Sequence, residues 1–221
     1  ITANDKLGSV AGDIAFNVDL SPGNKRGSLD GTINHFDFNN YRYNDINLSA
    51  TIDNNFIEGD VTINDPNITL TIDGDANIDK KSPLINVHAD IKNINFLNTN
   101  LSKKYLTLST TIDANIDNFN IDEADGYIHI NDLSFSDNPQ KSLHINNINI
   151  KTQNSVSPQF LSLESDFVDA KIDGSYSFKT ILPTIKDILS HSFPVFLSMI
   201  LGDFKEVQRF CMILINHKIS S

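Results

Sequence analysis

Residues Phe56 to Gly74 read FIEGDVTINDPNITLTIDG, two runs in which apolar and polar residues alternate. Every second residue is aliphatic or glycine: Ile57, Gly59, Val61 and Ile63 in the first run, and Ile68, Leu70, Ile72 and Gly74 in the second. The residues 65–67 between the runs, Asp-Pro-Asn, are typical of a turn. Because successive side chains of a β-strand point to opposite faces, the stretch predicts a hairpin with one aliphatic face and one polar face.

The same alternation continues along most of the chain. It predicts strands at about 13–20, 29–38, 44–53, 56–64, 67–78, 84–96, 105–121, 123–135, 141–152 and 160–178. Short polar links rich in Asn, Asp, Gly, Pro and Ser separate the runs, which favours antiparallel neighbours in a meander. An open sheet of about ten strands usually curls, splits or flattens.

Five segments interrupt the alternation in one way: an isoleucine is followed by two polar residues before alternation resumes. They are INHFDF from Ile33, IKNINF from Ile91, IDNFNI from Ile116, INDLSF from Ile130 and INNINI from Ile145. One interpretation is a short loop between separate small strands. The other is a β-bulge, which absorbs the extra residue, keeps the apolar side chains on one face and bends the strand.

The second interpretation predicts a mainly β fold over residues 1–179, a long bent antiparallel meander sheet that forms a U-shaped hydrophobic groove. Aliphatic and aromatic side chains on its apolar face are then candidates for contact with a lipid. The predicted lining comprises Ile33, Phe36, Val61, Ile63, Leu70, Ile72, Val87, Ile91, Ile112, Ile116, Ile128, Ile130, Ile145, Ile148 and Ile172.

The apolar period changes after Phe178. Ile181, Ile185 and Ile188 fall on one helical face, and a second stretch with helical spacing follows at 204–214. We therefore expect C-terminal α-helices over 180–221. They would cover an end of the sheet with its edge strand, or lie against the groove as a lid.

Composition argues against several classes of function. A net charge of -11 disfavours nucleic acid and anionic membrane surfaces as partners. The histidines show no metal-ligand spacing, and DGDANID at 73–79 lacks the glycine and glutamate of a calcium loop. Cys211, the single cysteine, excludes an intrachain disulfide. No catalytic residue, metal site or cofactor is predicted, and we do not expect an enzyme.

Two longer segments carry a resemblance to a known family. NNYRYNDINLSATIDNNFIEGDVTINDPNITLTIDG at 39–74 and SDFVDAKIDGSYSFKTILPTIKDIL at 165–189 resemble the translocation and assembly module TamB family, in its Bacteroidota form. The similarity covers roughly residues 27–200 and rests on the combination of Tyr-x-Tyr, a glycine-containing strand, Asp-Pro-Asn and the late Ser-Asp-Phe segment.

The resemblance implies an internal segment of a long AsmA-like protein of the cell envelope. Such proteins are anchored in the inner membrane and cross the periplasm with a bent β-sheet groove. The implied role is movement of phospholipid to the outer membrane and support of outer-membrane assembly with a BamA-like barrel. We expect the anchor and the barrel-contacting end to lie outside this sequence.

Two further readings of the alternation stay open. A β-sandwich binding module would have the same pattern around a closed core, and so would a structural spacer. The five tyrosines are dispersed and tryptophan is absent, which disfavours an aromatic binding loop. A spacer would carry no lipid.

Overall fold

The computed structural model describes residues 7–19, 21, 25–79, 81 and 83–178. These residues form one open sheet of antiparallel strands, and the order of the strands in the sheet is their order in the sequence. The strands are β1 (Leu7–Asp19), β2 (Arg26–Phe38), β3 (Tyr41–Asp53), β4 (Phe56–Asp65), β5 (Ile68–Asn77), β6 (Leu84–Asn95), β7 (Thr107–Asp117), β8 (Asp125–Asn138), β9 (Lys141–Gln153), β10 (Phe160–Ser165) and β11 (Asp169–Asp173). The predicted mainly β meander is confirmed. The predicted helical segment 180–221 lies outside the described residues.

The last predicted strand, 160–178, is wrong as a single element, because the structure divides it into β10 and β11. Side-chain hydrogen bonds to the backbone make the turn between them. The Ser165 hydroxyl accepts a hydrogen bond from the Val168 amide at 3.1 Å and donates one to the Val168 carbonyl at 2.9 Å. Polar side chains that bond to nearby backbone in this way compete with strand pairing.

Three of the five interruptions are β-bulges, as the second interpretation predicts. The adjacent residues Ala11 and Gly12 of β1 pair with His35 and Ile33 of β2, so the residue between these two, Asn34, is the extra residue. Against β5, Lys92 is the extra residue of β6. Asn131 and Ser134 of β8 are three residues apart, but their partners in β7 are only two residues apart, so β8 has one extra residue there.

The other two interruptions differ. Ile116 was expected at a bulge, but β7 ends one residue later at Asp117, and Asn118 turns the chain with φ of 66°. There the loop interpretation is correct. Ile145 pairs with Leu133, and β8 and β9 keep one register from the pair Asn131–Asn147 to the pair Phe135–Leu143, so β9 has no extra residue there.

The register connects these irregular positions into one line across the sheet, which we call the bulge line. It runs through Asn34 of β2, Asp45 of β3, Lys92 of β6, Asp132 of β8 and Asn146 of β9. Asp45 and Asp132 both have positive φ, 49° and 51°, as bulge residues often do. Because each bulge shifts the alternation by one residue, the apolar side chains stay on one face on both sides of the line.

The buried core of the described chain straddles the bulge line. Tyr43, Ile68 and Ile94 lie on one side of it and pack with Ile46 and Leu70 from the other side. Side chains from either side of the line therefore exclude water together.

Candidate apolar binding face

The apolar face is organised in rows that cross the strands. Directly paired residues of antiparallel strands share a face, so the register shows which side chains are neighbours. One row, the central row, contains only apolar residues and glycine through all eleven strands. It consists of Phe16, Leu29, Ala50, Gly59, Gly74, Val87, Ala114, Ile128, Ile150, Leu163 and Ala170.

Three parallel rows accompany the central row on the same face. The bulge-side row, nearest the bulge line, contains Ile33, Ile46, Ile63, Leu70 and Ile91. The first flanking row contains Ile14, Gly31, Leu48, Val61, Ile72, Ala89, Ile112, Ile130 and Ile148. The second flanking row contains Val18, Gly27, Ile52, Ile57, Ala76, Ile85, Ile116, Gly126, Thr152, Leu161 and Ile172.

The structure places thirteen of the fifteen predicted lining residues in these four rows. The other two, Phe36 and Ile145, lie beyond the bulge line. Phe36 packs against the buried core, and Ile145 is itself buried. Ile116 keeps its place in the second flanking row although its predicted bulge is absent, because it pairs regularly with Ile85 and Gly126.

Beyond the bulge line the apolar face is covered where it crosses β3 to β6, whereas Val10 on β1 and Leu143 on β9 are 61% and 40% exposed. The segment 96–106 after β6 folds back over it, and the Tyr43 hydroxyl donates a hydrogen bond to the carbonyl of Thr99 at 3.2 Å. Thr99 is fully buried, and Asn39 donates to the carbonyl of Asn100. Burial raises the pKa of the Tyr43 phenol to about 12, as expected of a hydroxyl that is shielded from water.

On the other side of the line the face is partly exposed. Leu70 of the bulge-side row is 8% exposed, whereas Ile72, two residues further along β5, is 38% exposed. At the β1 edge the exposed fraction of Phe16 reaches 68%. Ile14, Val18 and Ile52 on this side are also exposed, and contiguous exposed apolar patches are typical of binding surfaces.

A buried carboxylate fixes the closed end of the face. Asp65, 1% exposed, accepts hydrogen bonds from the Tyr41 hydroxyl, the Asn67 amide at 2.9 Å and the Asn44 amide at 3.1 Å. Burial raises the pKa of the Asp65 carboxyl, but these hydrogen bonds lower it by more, so the pKa lies below its ordinary value. The ionised group thus ties the β4–β5 turn to β3.

The opposite face of the sheet is polar, and acidic side chains are frequent on it. Asp60, Asp73, His88, Asp113 and His129 are successive cross-strand partners on it. His88 Nδ1 lies 2.6 Å from Asp113 Oδ1, and this hydrogen bond raises the pKa of His88 above its ordinary value. Within the described ranges no group of three such side chains is arranged to hold a metal ion.

The apolar face contains a cavity of about 350 Å³ between β3 and β6. Its middle is the pair Gly59 and Gly74, which are direct partners in the central row. The sequence reasoning placed both glycines in the aliphatic alternation but missed that they face each other. The signal was present, because a two-residue turn at 66–67 pairs Asp65 with Ile68 and therefore residue 59 with residue 74.

Comparisons of the chain with protein-family models, with curated proteins and with solved structures give no match. In the part of the chain that the structure describes, no helix has the length and hydrophobicity needed to cross a bilayer.

Proposed function

We propose that the apolar face binds acyl chains of phospholipid, and that this chain is a segment of a TamB-like or AsmA-like envelope protein. In this proposal the bulge line bends the sheet into a U-shaped groove with the apolar rows inside. The groove conducts phospholipid through the periplasm between the inner and outer membranes and supports outer-membrane assembly. A BamA-like barrel and an inner-membrane anchor would act through other parts of the full-length protein.

One observation carries the proposal: the central row is apolar through all eleven described strands, and none of its residues is fully buried. Phe16 and Ala170, at its two ends, are exposed, and the nine residues between them are partly exposed. Ten spacings of about 4.8 Å give a continuous path of about 48 Å. Each methylene that leaves water contributes about 0.8 kcal/mol, so an aliphatic wall holds a chain without specific polar contacts. The acidic opposite face keeps the sheet soluble.

A second candidate, the structural spacer, is favoured by the covered region beyond the bulge line. Between β3 and β6 the face there forms a core, with Tyr43, Ile94 and Thr99 shielded from water. A spacer requires no open apolar row, however, and the exposed part of the face would then be a liability for aggregation.

The test is native mass spectrometry of the full chain, purified gently and incubated with dioleoylphosphatidylcholine vesicles. Phospholipid adducts are expected for the unmodified protein and fewer for Ile128→Asp, which places a charge in the central row. Tyr127→Asp, the adjacent residue of β8 on the polar face, is the matched control and should keep its adducts. Consistently bare protein, under conditions in which a known lipid carrier keeps its cargo, would refute lipid binding.

A further inference from the structure

The cavity between β3 and β6 interrupts an otherwise uniform apolar wall. In the central row it is bounded by Ala50 on β3 and Val87 on β6, with Gly59 and Gly74 between them. Larger side chains stand on both sides: Leu48, Val61 and Ile72 in the first flanking row, and Ile57 and Ile85 in the second. The cavity is therefore a trough that runs across the strands.

The depth of the trough is built into the backbone. A Cβ at Gly74 would lie 2.4 Å from the Asn86 carbonyl oxygen, and one at Gly59 would lie 2.8 Å from that of Ser49. Real Cβ atoms do not approach backbone so closely, so only glycine permits this packing of β3 to β6. The floor of the trough is thus backbone at these two positions, and no substitution there can fill it without moving the neighbouring strand.

The length of the trough matches that of one extended acyl chain. From β3 to β6 there are three strand spacings, about 14 Å. An extended acyl chain spans half of a bilayer core of about 30 Å, which is about 15 Å. The residues of the apolar face that line the trough are aliphatic or glycine. Five polar residues also border it, and strand alternation directs their side chains to the opposite face: Ser49, Asp60, Asp73, Asp75 and Asn86.

We propose that this trough is a discrete seat for a single acyl chain, which lies extended across β3 to β6 at right angles to the strands. The inference rests on the proposed function and refines it, because lipid would pause at one preferred position rather than slide along an even wall. The seat recognises the hydrocarbon chain and makes no contact with a charged headgroup. A zwitterionic phospholipid suits the acidic chain better than an anionic one.

The test fills the trough from its end. Ala50→Phe places a ring over Gly59, and Ala170→Phe makes the same change in the same row on β11, outside the trough. Both variants are incubated with dioleoylphosphatidylcholine vesicles and counted by native mass spectrometry. We expect one lipid per chain for the unmodified protein and for Ala170→Phe. Loss of about two methylene contacts should weaken binding to Ala50→Phe about tenfold or more.

Each outcome separates the seat from the broader function. Equal binding by all three proteins would overturn the seat and leave lipid binding intact, as would equal losses in both variants. An unmodified protein without lipid would overturn the proposed function itself.

A second measurement covers the case in which Ala50→Phe fails to fold. A photoreactive benzophenone side chain at Ile72, beside the trough, is compared with one at Ile148 in the same flanking row. Preferential cross-linking of lipid at Ile72 is expected. Equal cross-linking at the two positions would refute a discrete seat.

Discussion

An aspartate placed at Leu70 or at Ile72 tests where the apolar face changes from covered to open. The two residues lie two apart on β5 and on the same face, but 8% and 38% of their respective surfaces are exposed. Such a pair gives the same substitution two environments within one strand. The two variants should therefore differ in their free energies of unfolding, because Leu70 is shielded from water and Ile72 is not.

At Leu70 the new carboxyl must lose its charge to stay buried. Holding it protonated at pH 7, about three units above an ordinary pKa of about 3.9, costs about 4 kcal/mol. The lost leucine burial adds about 2 kcal/mol. The sum of about 6 kcal/mol approaches the whole stability of many domains, about 5 to 15 kcal/mol.

At Ile72 the carboxylate reaches water and stays ionised. With 38% of the side chain already exposed, about three-fifths of a burial contribution of about 2 kcal/mol is lost, or about 1 kcal/mol. The two variants should thus differ by about 5 kcal/mol in urea unfolding at pH 7, followed by circular dichroism.

Acidification provides the internal control. Burial raises the pKa of the carboxyl that Leu70→Asp introduces, so its penalty disappears as pH falls toward the unfolded pKa, and the gap between the variants should narrow to about 1 to 2 kcal/mol at pH 4. Leu70→Asn does not titrate, and its difference from Ile72→Asp should change far less. Equal losses at both positions would refute the division of the face into covered and open parts.

Three further outcomes follow from described contacts. Asp65→Asn should lower the free energy of unfolding, measured in urea at pH 7, by about 1 to 3 kcal/mol. Folding lowers the pKa of Asp65, so the stabilisation by its carboxylate is present above about pH 3.9 and is lost as pH falls through the folded pKa. The difference in stability between the variant and the unmodified protein should therefore shrink at pH 3. The pKa of His88 is raised in the folded protein, so its small stabilising effect is complete below about pH 6.5 and is lost as pH rises through the folded pKa. The midpoint of its NMR titration should lie above about pH 6.5, and it should be lower in Asp113→Asn. Deleting Lys92 removes a bulge and moves Ile94 to the polar face, so the deletion should lower the stability measured in thermal melts by several kcal/mol. The control Lys92→Ala, at an exposed position, should change the stability little. A deletion variant as stable as the unmodified protein would contradict the bulge assignment.

Most of the sheet could be predicted from the period of the sequence, because one exposed and one apolar face leave a two-residue repeat in every strand. The pattern that predicts bulges was less reliable. Ile91 and Ile116 begin similar hexapeptides, but β6 continues beside β5 after Ile91, whereas β7 ends at Asp117. Local sequence determines the phase shift, and the presence of a neighbouring strand decides whether a bulge or a turn absorbs it.

The covered part of the face was not predictable in the same way. The segment 96–106 has no periodic pattern, and its burial depends on tertiary contacts such as the hydrogen bond from Tyr43 to Thr99. The trough could be predicted only in part. Its glycines were visible in the sequence, but their effect appears only when the register brings Gly59 and Gly74 together.

The sheet pairs every strand only with its neighbours in the sequence, from β1 to β11. The strand pairing is therefore one-dimensional, because each hairpin bonds to the hairpins beside it, and only a few contacts, such as that between Tyr43 and Thr99, reach further. Gain or loss of a hairpin by gene duplication or deletion would lengthen or shorten the sheet by about 10 Å and leave its cross-section unchanged. Evolution can therefore adjust the reach of this architecture in hairpin-sized steps.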